Sequence, residues 1–211
     1  MSLVNDLIIS GYLKSPEIIK AFEEIKRADF VLPEDKARAE LDAPLPIGHG
    51  QTISQPATVA FMLELLRPAK GEKILDVGAG SGWTTALLAQ LVGRSGLVSG
   101  AERICELKDF AAGNVAKYNF IKNGTVQIFC TDGYAGLPEL APFDKILISA
   151  SAEEIPEELL KQLKPGGRLV MPLGEQGKTQ SLLEIKKSTR GEISKKEYPG
   201  FIFVPLVKNL N

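Results

Sequence analysis

Between Ser15 and Arg27 the apolar residues Ile18, Ile19, Phe22 and Ile25 recur at helical spacing, behind Ser15 as N-cap, Pro16 at the first helical position and Glu17 in the first turn. The pattern predicts a short amphipathic helix. A second apolar face, Val59, Met62, Leu63 and Leu66, predicts a helix over Thr58 to Leu66, closed by Pro68 and the turn Lys70-Gly71-Glu72. Between them Leu41 to Pro56 reads L-D-A-P-L-P-I-G-H-G-Q-T-I-S-Q-P, without a clear period and rich in Pro, Gly and small polar residues. Irregular segments longer than about 12 residues inside compact domains are usually functional. This one is expected to be a binding loop.

Beyond residue 70 the period changes. Lys73-Ile74-Leu75-Asp76-Val77-Gly78 is a short apolar strand running into glycines, and Thr84 to Leu91 is a helix that starts from them. Strands at Gly96 to Ala101, Val126 to Cys130, Asp144 to Ser149 and Gly167 to Pro172 alternate with helices over Ile104 to Tyr118 and Glu157 to Leu163. Ser181 to Lys187 and Glu197 to Val207 are expected to close the sheet as antiparallel strands about a Gly191 turn. The fold class that follows is α/β: a Rossmann-like, doubly wound, mostly parallel sheet with antiparallel C-terminal strands and an N-terminal helical extension over one edge. We expect one domain over residues 1–211, with residues 1–70 as helical and loop extension and 71–211 as core.

Composition removes classes of function. With 25 Lys plus Arg against 26 Asp plus Glu the net charge is −1, so nothing pulls the whole chain toward nucleic acid or an anionic membrane. One histidine, His49, and two cysteines, Cys105 and Cys130, cannot assemble a conventional zinc site or a His-dependent triad. The cysteines are expected to be buried, unpaired, small apolar side chains. No apolar run approaches the roughly 20 residues of a membrane span, and no leader-like segment opens the chain. The expectation is a cytoplasmic monomer without metal, nucleic-acid or membrane partners.

In doubly wound sheets ligands sit at the carboxyl ends of the strands. The first strand ends in Asp76-Val77-Gly78-Ala79-Gly80-Ser81-Gly82-Trp83, a G-x-G-x-G in which Trp83 stands where a dinucleotide-binding motif has its third glycine. Asp76, two positions before the first glycine, would repel a pyrophosphate and suits a cationic amino group. The bland alternative is a tight strand-to-helix turn. Glu102, ending the second strand, can accept hydrogen bonds from both hydroxyls of a ribose, or be a solvated charge. Asp132 after the third strand can take the amino proton of an adenine, with Gly133 allowing close approach, or form a plain D-G turn. Together the three acidic strand ends describe a site for an adenosine with a cationic tail and no phosphates, which is S-adenosylmethionine.

Here the chain resembles the protein-L-isoaspartate O-methyltransferases. The resemblance runs through A-D-F-V-L-P (28–33), P-L-P-I-G-H-G-Q-T-I-S-Q-P (44–56), L-D-V-G-A-G-S-G-W (75–83), A-P-F-D-K-I-L-I-S-A (141–150), Q-L-K-P-G-G-R-L-V-M-P-L-G (162–174) and F-V-P-L (203–206). The G-Q-T-I-S-Q-P loop and the terminal F-V-P-L are its most specific parts. It implies methyl transfer from S-adenosylmethionine to the α-carboxylate of L-isoaspartyl residues in damaged peptides and proteins, leaving S-adenosylhomocysteine. It implies Ser54 as the active-site residue. Cofactor contacts fall to Gln51, Thr52, Ile53, Asp76, Gly78, Ala79, Gly80, Ser81, Gly82, Glu102, Arg103, Asp132 and Gly133, and substrate contacts to Pro46, Ile47, Gly48, Ser54, Val204, Pro205 and Leu206.

That chemistry agrees with the scarcity of histidine. A backbone-type carboxylate has a pKa of about 3 to 4 and is already ionised at neutral pH, so it needs alignment and dehydration rather than a base. Ser54, with Thr52 beside it, is suited to orient such a carboxylate; the lesser reading from the residues alone is a cap of the following helix. His49 is expected to be an exposed loop residue, Trp83 to wall the cofactor pocket or pack the helix start, and Asp144 to be structural. The chain departs from the family at Glu40, Ala57, Thr131 and Val207, of which Glu40 and Ala57 bear on peptide preference. Two other readings remain, a related methyltransferase with a drifted acceptor and a cofactor-binding sensor without catalysis. Trp83 and Asp76 oppose an NAD oxidoreductase.

Overall fold

The apolar runs of the second two-thirds of the chain are strands buried on both faces, as parallel sheets covered by helices require. In the computed structural model, which describes residues 2–208, seven strands form one sheet. These are β3 (Lys73–Val77), β4 (Leu97–Glu102), β5 (Val126–Cys130), β6 (Phe143–Ile148), β7 (Leu163–Leu173), β8 (Gln180–Lys187) and β9 (Ile193–Phe201), in the order β5-β4-β3-β6-β7-β8-β9. The first five are parallel, and β8 and β9 are antiparallel additions. Neighbouring residues feed opposite cores: Ile74, Leu147, Val170 and Leu182 lie in one apolar cluster, Leu75, Ile146, Leu169 and Leu183 in the other.

The first cluster is covered by α3 (Pro56–Leu66) under β6 to β8 and by α4 (Trp83–Val92) and α5 (Cys105–Ala116) under β3 to β5. The short α6 (Glu157–Gln162) covers the second through Leu159. Two further helices, α1 (Leu3–Ile9) and α2 (Pro16–Glu24), pack onto α3 and α4. The extension therefore lies over a face and not, as expected, over an edge. The reason is visible in α3 and α4, whose buried residues surround each helix, so a second layer must cover their outer sides.

Three expectations are corrected. The Leu41–Pro56 loop holds a β-hairpin, β1 (Leu45–Gly48) with β2 (Gln51–Ile53), turning at Gly48, His49 and Gly50, all with positive φ (91°, 52° and 69°). Its sign was present in sequence, because Leu45, Ile47 and Ile53 are the buried positions of a half-exposed ribbon around a Gly-x-Gly turn. The last strand ends at Phe201, not Val207. From there the chain leaves the sheet: Phe203 N donates to Gln180 Oε1 (2.8 Å), and Ser151 exchanges hydrogen bonds with Val204 O (2.8 Å) and Leu206 N (2.7 Å).

The cysteines are neither buried nor unpaired. Cys105, exposed at the start of α5, is disulfide-bonded to half-buried Cys130 at the end of β5, with 5.1 Å between their Cα atoms. A sequence separation of 25 hides this proximity, which arises because Glu102 pairs with Cys130 across the β4–β5 ladder. Closing a loop of that length restricts the unfolded chain by about 3 to 4 kcal/mol. Replacing both cysteines by serine is expected to lower the melting temperature by on the order of 10 °C. A thermal melt without reductant checks this, and an unchanged midpoint would deny the link any stabilising part.

Candidate functional site

The strand order reverses at β3, since the chain runs outward through β4 to β5 and then crosses back to β6 on the other side of β3, and the crevice at its carboxyl end is where such sheets bind ligands. Immediately after Val77 the backbone folds over the β4 end, Gly78 N and Ala79 N both donating to Ala101 O (2.8 and 3.2 Å). Gly82 then starts α4 at φ 86°, and a Cβ there would meet Val115 Cγ2 at 2.9 Å and Ala111 O at 3.0 Å. The glycine loop is thus pressed against α5, which also ties it down through Asn114 Nδ2 on Ser81 O (3.0 Å).

Between this loop, the β4 end, the hairpin and the C-terminal segment lies a cavity. Of the expected cofactor residues, Gln51, Thr52, Ile53, Gly78, Ala79, Gly80, Ser81, Glu102, Arg103 and Gly133 line it. Glu102 is 6% exposed. Its Oε2 accepts from Gly80 N (2.9 Å) and its Oε1 from Ile104 N (3.0 Å), so the carboxylate shapes the glycine loop while each oxygen keeps a further lone pair. Three polar atoms of lining residues, Ser81 Oγ, Trp83 Nε1 and Arg103 Nη1, are buried without a hydrogen-bond partner among the described residues. A polar ligand in the cavity would relieve those it reaches.

Asp76 and Asp132 do not line the cavity. Asp76 is fully buried and accepts from Thr85 Oγ1 at 2.6 Å, because alternation along β3 turns residue 76 under α4 while residue 77 reaches the crevice. Its other oxygen, Oδ1, has no hydrogen-bond partner among the described residues. Asp132 accepts from Tyr134 N (2.8 Å) and faces a separate cleft with Tyr134 and Glu154, the turn geometry of the bland reading. Gly133 earns its place by packing, since a Cβ there would stand 2.6 Å from Val77 Cγ1. Gly82 likewise serves the loop and not the cavity wall.

Burial pushes the Asp76 carboxyl up to about 7, against the Thr85 hydrogen bond that lowers it, with Glu102 nearby raising it further. Its unfolded value is about 3.9, so the folded state holds the proton more tightly and stability falls as pH rises from about 4 to about 7. Asp76→Asn, which keeps an acceptor for Thr85, is expected to gain on the wild type by roughly 2 to 4 kcal/mol across that interval. Urea unfolding at both ends of the interval measures it; parallel pH profiles would overturn the assignment.

On its outer side the cavity meets an open groove, and the two share Thr52, Ser54, Ser149, Val204 and Pro205. Ser54 is half-buried between β2 and α3. It is not the helix cap, a position held by Gln55 without a side-chain hydrogen bond. Val204, Pro205 and Leu206 reach the cavity through the Ser151 and Gln180 contacts. Pro46, Ile47 and Gly48 line neither space. Ile47 is buried and its Cδ1 lies 3.3 Å from where a Gly80 Cβ would be, so β1 buttresses the glycine loop from behind. His49 is exposed at the hairpin tip, as expected.

Trp83 fills both of its alternatives: it lines the cavity and packs edge-on to Phe22, with ring centroids 5.5 Å apart. Asp144 is structural, taking Lys73 N at 2.8 Å and pairing with Lys164 at 2.7 Å. Sequence reasoning missed Ser149 and Ala150 at the β6 end, although the strand-end rule used for β3 to β5 applies there equally. It also missed Arg27, whose contacts span residues 39 to 83 and leave no local signal.

A family model described as protein-L-isoaspartate(D-aspartate) O-methyltransferase (PCMT) matches residues 1–211. The chain belongs to this isoaspartate methyltransferase family. Relatives named protein-L-isoaspartate O-methyltransferase include those of Methanopyrus kandleri, 46% identical over 97% of this chain and 89% of the relative, and of Aeropyrum pernix, 44% identical over 98% and 78%. A Plasmodium falciparum member crystallised with S-adenosyl-L-homocysteine superposes with a TM-score of 0.87 at 29% identity, covering 98% of this chain and 97% of that one. Membership agrees with the seven-stranded sheet and its antiparallel end.

Proposed function

We propose that the protein is a protein-L-isoaspartate O-methyltransferase that transfers the methyl group of S-adenosylmethionine to the α-carboxylate of L-isoaspartyl residues in damaged proteins, the first step of their return to aspartyl. The observation that carries this is the shared wall: a cavity suited to an adenosine and a groove suited to a peptide meet at Ser54. Family membership and the neighbour crystallised with S-adenosyl-L-homocysteine support the same cofactor. The cavity fits it, because buried Glu102 favours ribose hydroxyls over phosphates and the orphaned Ser81 Oγ and Arg103 Nη1 ask for a polar ligand.

When bound, S-adenosylmethionine supplies an electrophilic sulfonium methyl group. Glu102 would hold the ribose, with Gly78 to Ser81 against the rest of the nucleoside and its tail. On the acceptor side the isoaspartyl carboxylate arrives ionised, so the work left to the chain is to strip water and aim it. Val204, Pro205, Leu206 and Ile53 give the junction apolar walls, and the Ser54 hydroxyl donates a hydrogen bond that orients the carboxylate without neutralising it. Alignment of this kind supplies several kcal/mol in favourable systems.

The groove carries Ala57 and the cavity Val207, two of the departures from the family pattern, so any change of peptide preference is expected at those walls. No described helix is long and apolar enough to cross a membrane. A cytoplasmic monomer acting on isoaspartyl peptides, without nucleic-acid or membrane partners, is the accompanying proposal. The deciding experiment compares labelled methyl transfer to an isoaspartyl peptide and to its aspartyl twin. Transfer to the first alone is expected, and transfer to neither by cofactor-binding protein would favour a drifted acceptor.

A further inference from the structure

Ser54 and Gln55 join the three-residue strand β2 to α3 and make no ladder bonds of their own. Two side chains hold this link, one from the turn after α2 and one from the run before β1. Arg27, in the single turn after α2, is 3% exposed, and its guanidinium donates to four carbonyls: Nη1 to Ala39 O (3.0 Å) and Leu41 O (3.1 Å), Nη2 to Ala43 O (2.8 Å) and Ser54 O (3.1 Å). The Cζ of the same group lies over the Trp83 ring, 5.3 Å from its centroid. Asp42 grips the other side, Oδ1 accepting from Ala57 N (2.8 Å) and Oδ2 from Gln55 Nε2 (3.1 Å).

Burying a guanidinium is costly, and here no carboxylate bonds it directly. Desolvation lowers Arg27 to about 10, with Asp42 and then Glu40 raising it, so it remains charged at neutral pH. All of its hydrogen bonds go to backbone carbonyls, with Nε left without a partner among the described residues, which makes the arrangement sensitive to where those carbonyls stand. Three of them belong to residues 39 to 43, the run that carries Asp42. The fourth is that of Ser54. The guanidinium therefore ties the Asp42 segment, the Ser54 segment and a wall of the cofactor cavity into one unit.

We propose that Arg27 and Asp42 form a clamp that positions Ser54, so that they are positioning residues for methyl transfer though neither reaches the acceptor. This rests on the role of Ser54 proposed above. A lysine at position 27 has three donors on one atom, so it cannot fork over four carbonyls. Loss of the Asp42 carboxylate frees Ala57 N–H and the Gln55 side chain. In either case Ser54 drifts from the junction while the glycine loop and Glu102 stay in place.

Steady-state kinetics on an isoaspartyl peptide test the clamp. Arg27→Lys and Asp42→Ala are each expected to lower kcat by about tenfold or more, with KM for S-adenosylmethionine changed by less than about threefold. In the Ser54→Ala background neither substitution lowers kcat further, because the hydroxyl they aim is gone. A merely structural role would lower kcat by the same factor in both backgrounds, and that result overturns the proposal, as does a wild-type kcat in both single variants. Should Arg27→Lys fail to fold by circular dichroism, Asp42→Ala decides alone. A Ser54→Ala enzyme that is impaired while both clamp variants are not removes only the clamp; an unimpaired Ser54→Ala enzyme removes the Ser54 role and the clamp with it.

Discussion

Ser54→Ala is expected to lower kcat on an isoaspartyl peptide by about 10- to 100-fold while cofactor affinity stays within about threefold of the wild type. The range is that of one hydrogen bond to a charged group, about 1.5 to 3 kcal/mol, lost where water is partly excluded. Ser54 lies where cavity and groove meet, so its hydroxyl is placed to reach an acceptor carboxylate at the junction. No ladder or helix depends on that hydroxyl, because Gln55 holds the N-cap position of α3 without a side-chain hydrogen bond. The melting temperature is therefore expected to move little. Kinetics with cofactor saturating, beside calorimetry with S-adenosylhomocysteine, separate the two quantities. A wild-type kcat would end the assignment.

The second large effect is expected at Glu102. Its carboxylate is the one strand-end acid that is both buried and on the cavity wall. Two hydrogen bonds from a ribose to a carboxylate are worth about 3 kcal/mol or more together, so Glu102→Ala is expected to weaken S-adenosylhomocysteine binding by about 100-fold or more. The loss has a second source. Gly80 N–H and Ile104 N–H both point at this carboxylate, and without it the glycine loop loses its anchor. Glu102→Gln separates the two, since the amide keeps the size but can accept from only one of those N–H groups and presents donors to the other. An intermediate loss is expected for Gln, and calorimetry on both variants checks the order. Unchanged binding in the alanine variant would remove the ribose role.

The contrast between Glu102 and Asp76 shows how far a sequence can be taken. Both are acids near the end of a strand, and position along the chain treats them alike. Strand alternation does not, because residue 76 points under α4 to Thr85 while the backbone beyond Val77 turns over the β4 end. Ser54 is legible through the resemblance of its loop, yet the hairpin that presents it is not, because prolines and glycines mask the spacing of Leu45, Ile47 and Ile53. Arg27 was not legible at all.

What the sequence by itself determined is whatever depends on near neighbours: the alternation of strands and helices and the glycine turn after β3. Those follow from periodicity and side-chain type, which act over a few residues. Only the tertiary structure decided the disulfide between Cys105 and Cys130, the burial of Asp76, and the four carbonyls gathered on Arg27. Each depends on which strand pairs with which and on how helices pack across them, and such pairings are set by the fit of whole buried faces rather than by spacing along the chain.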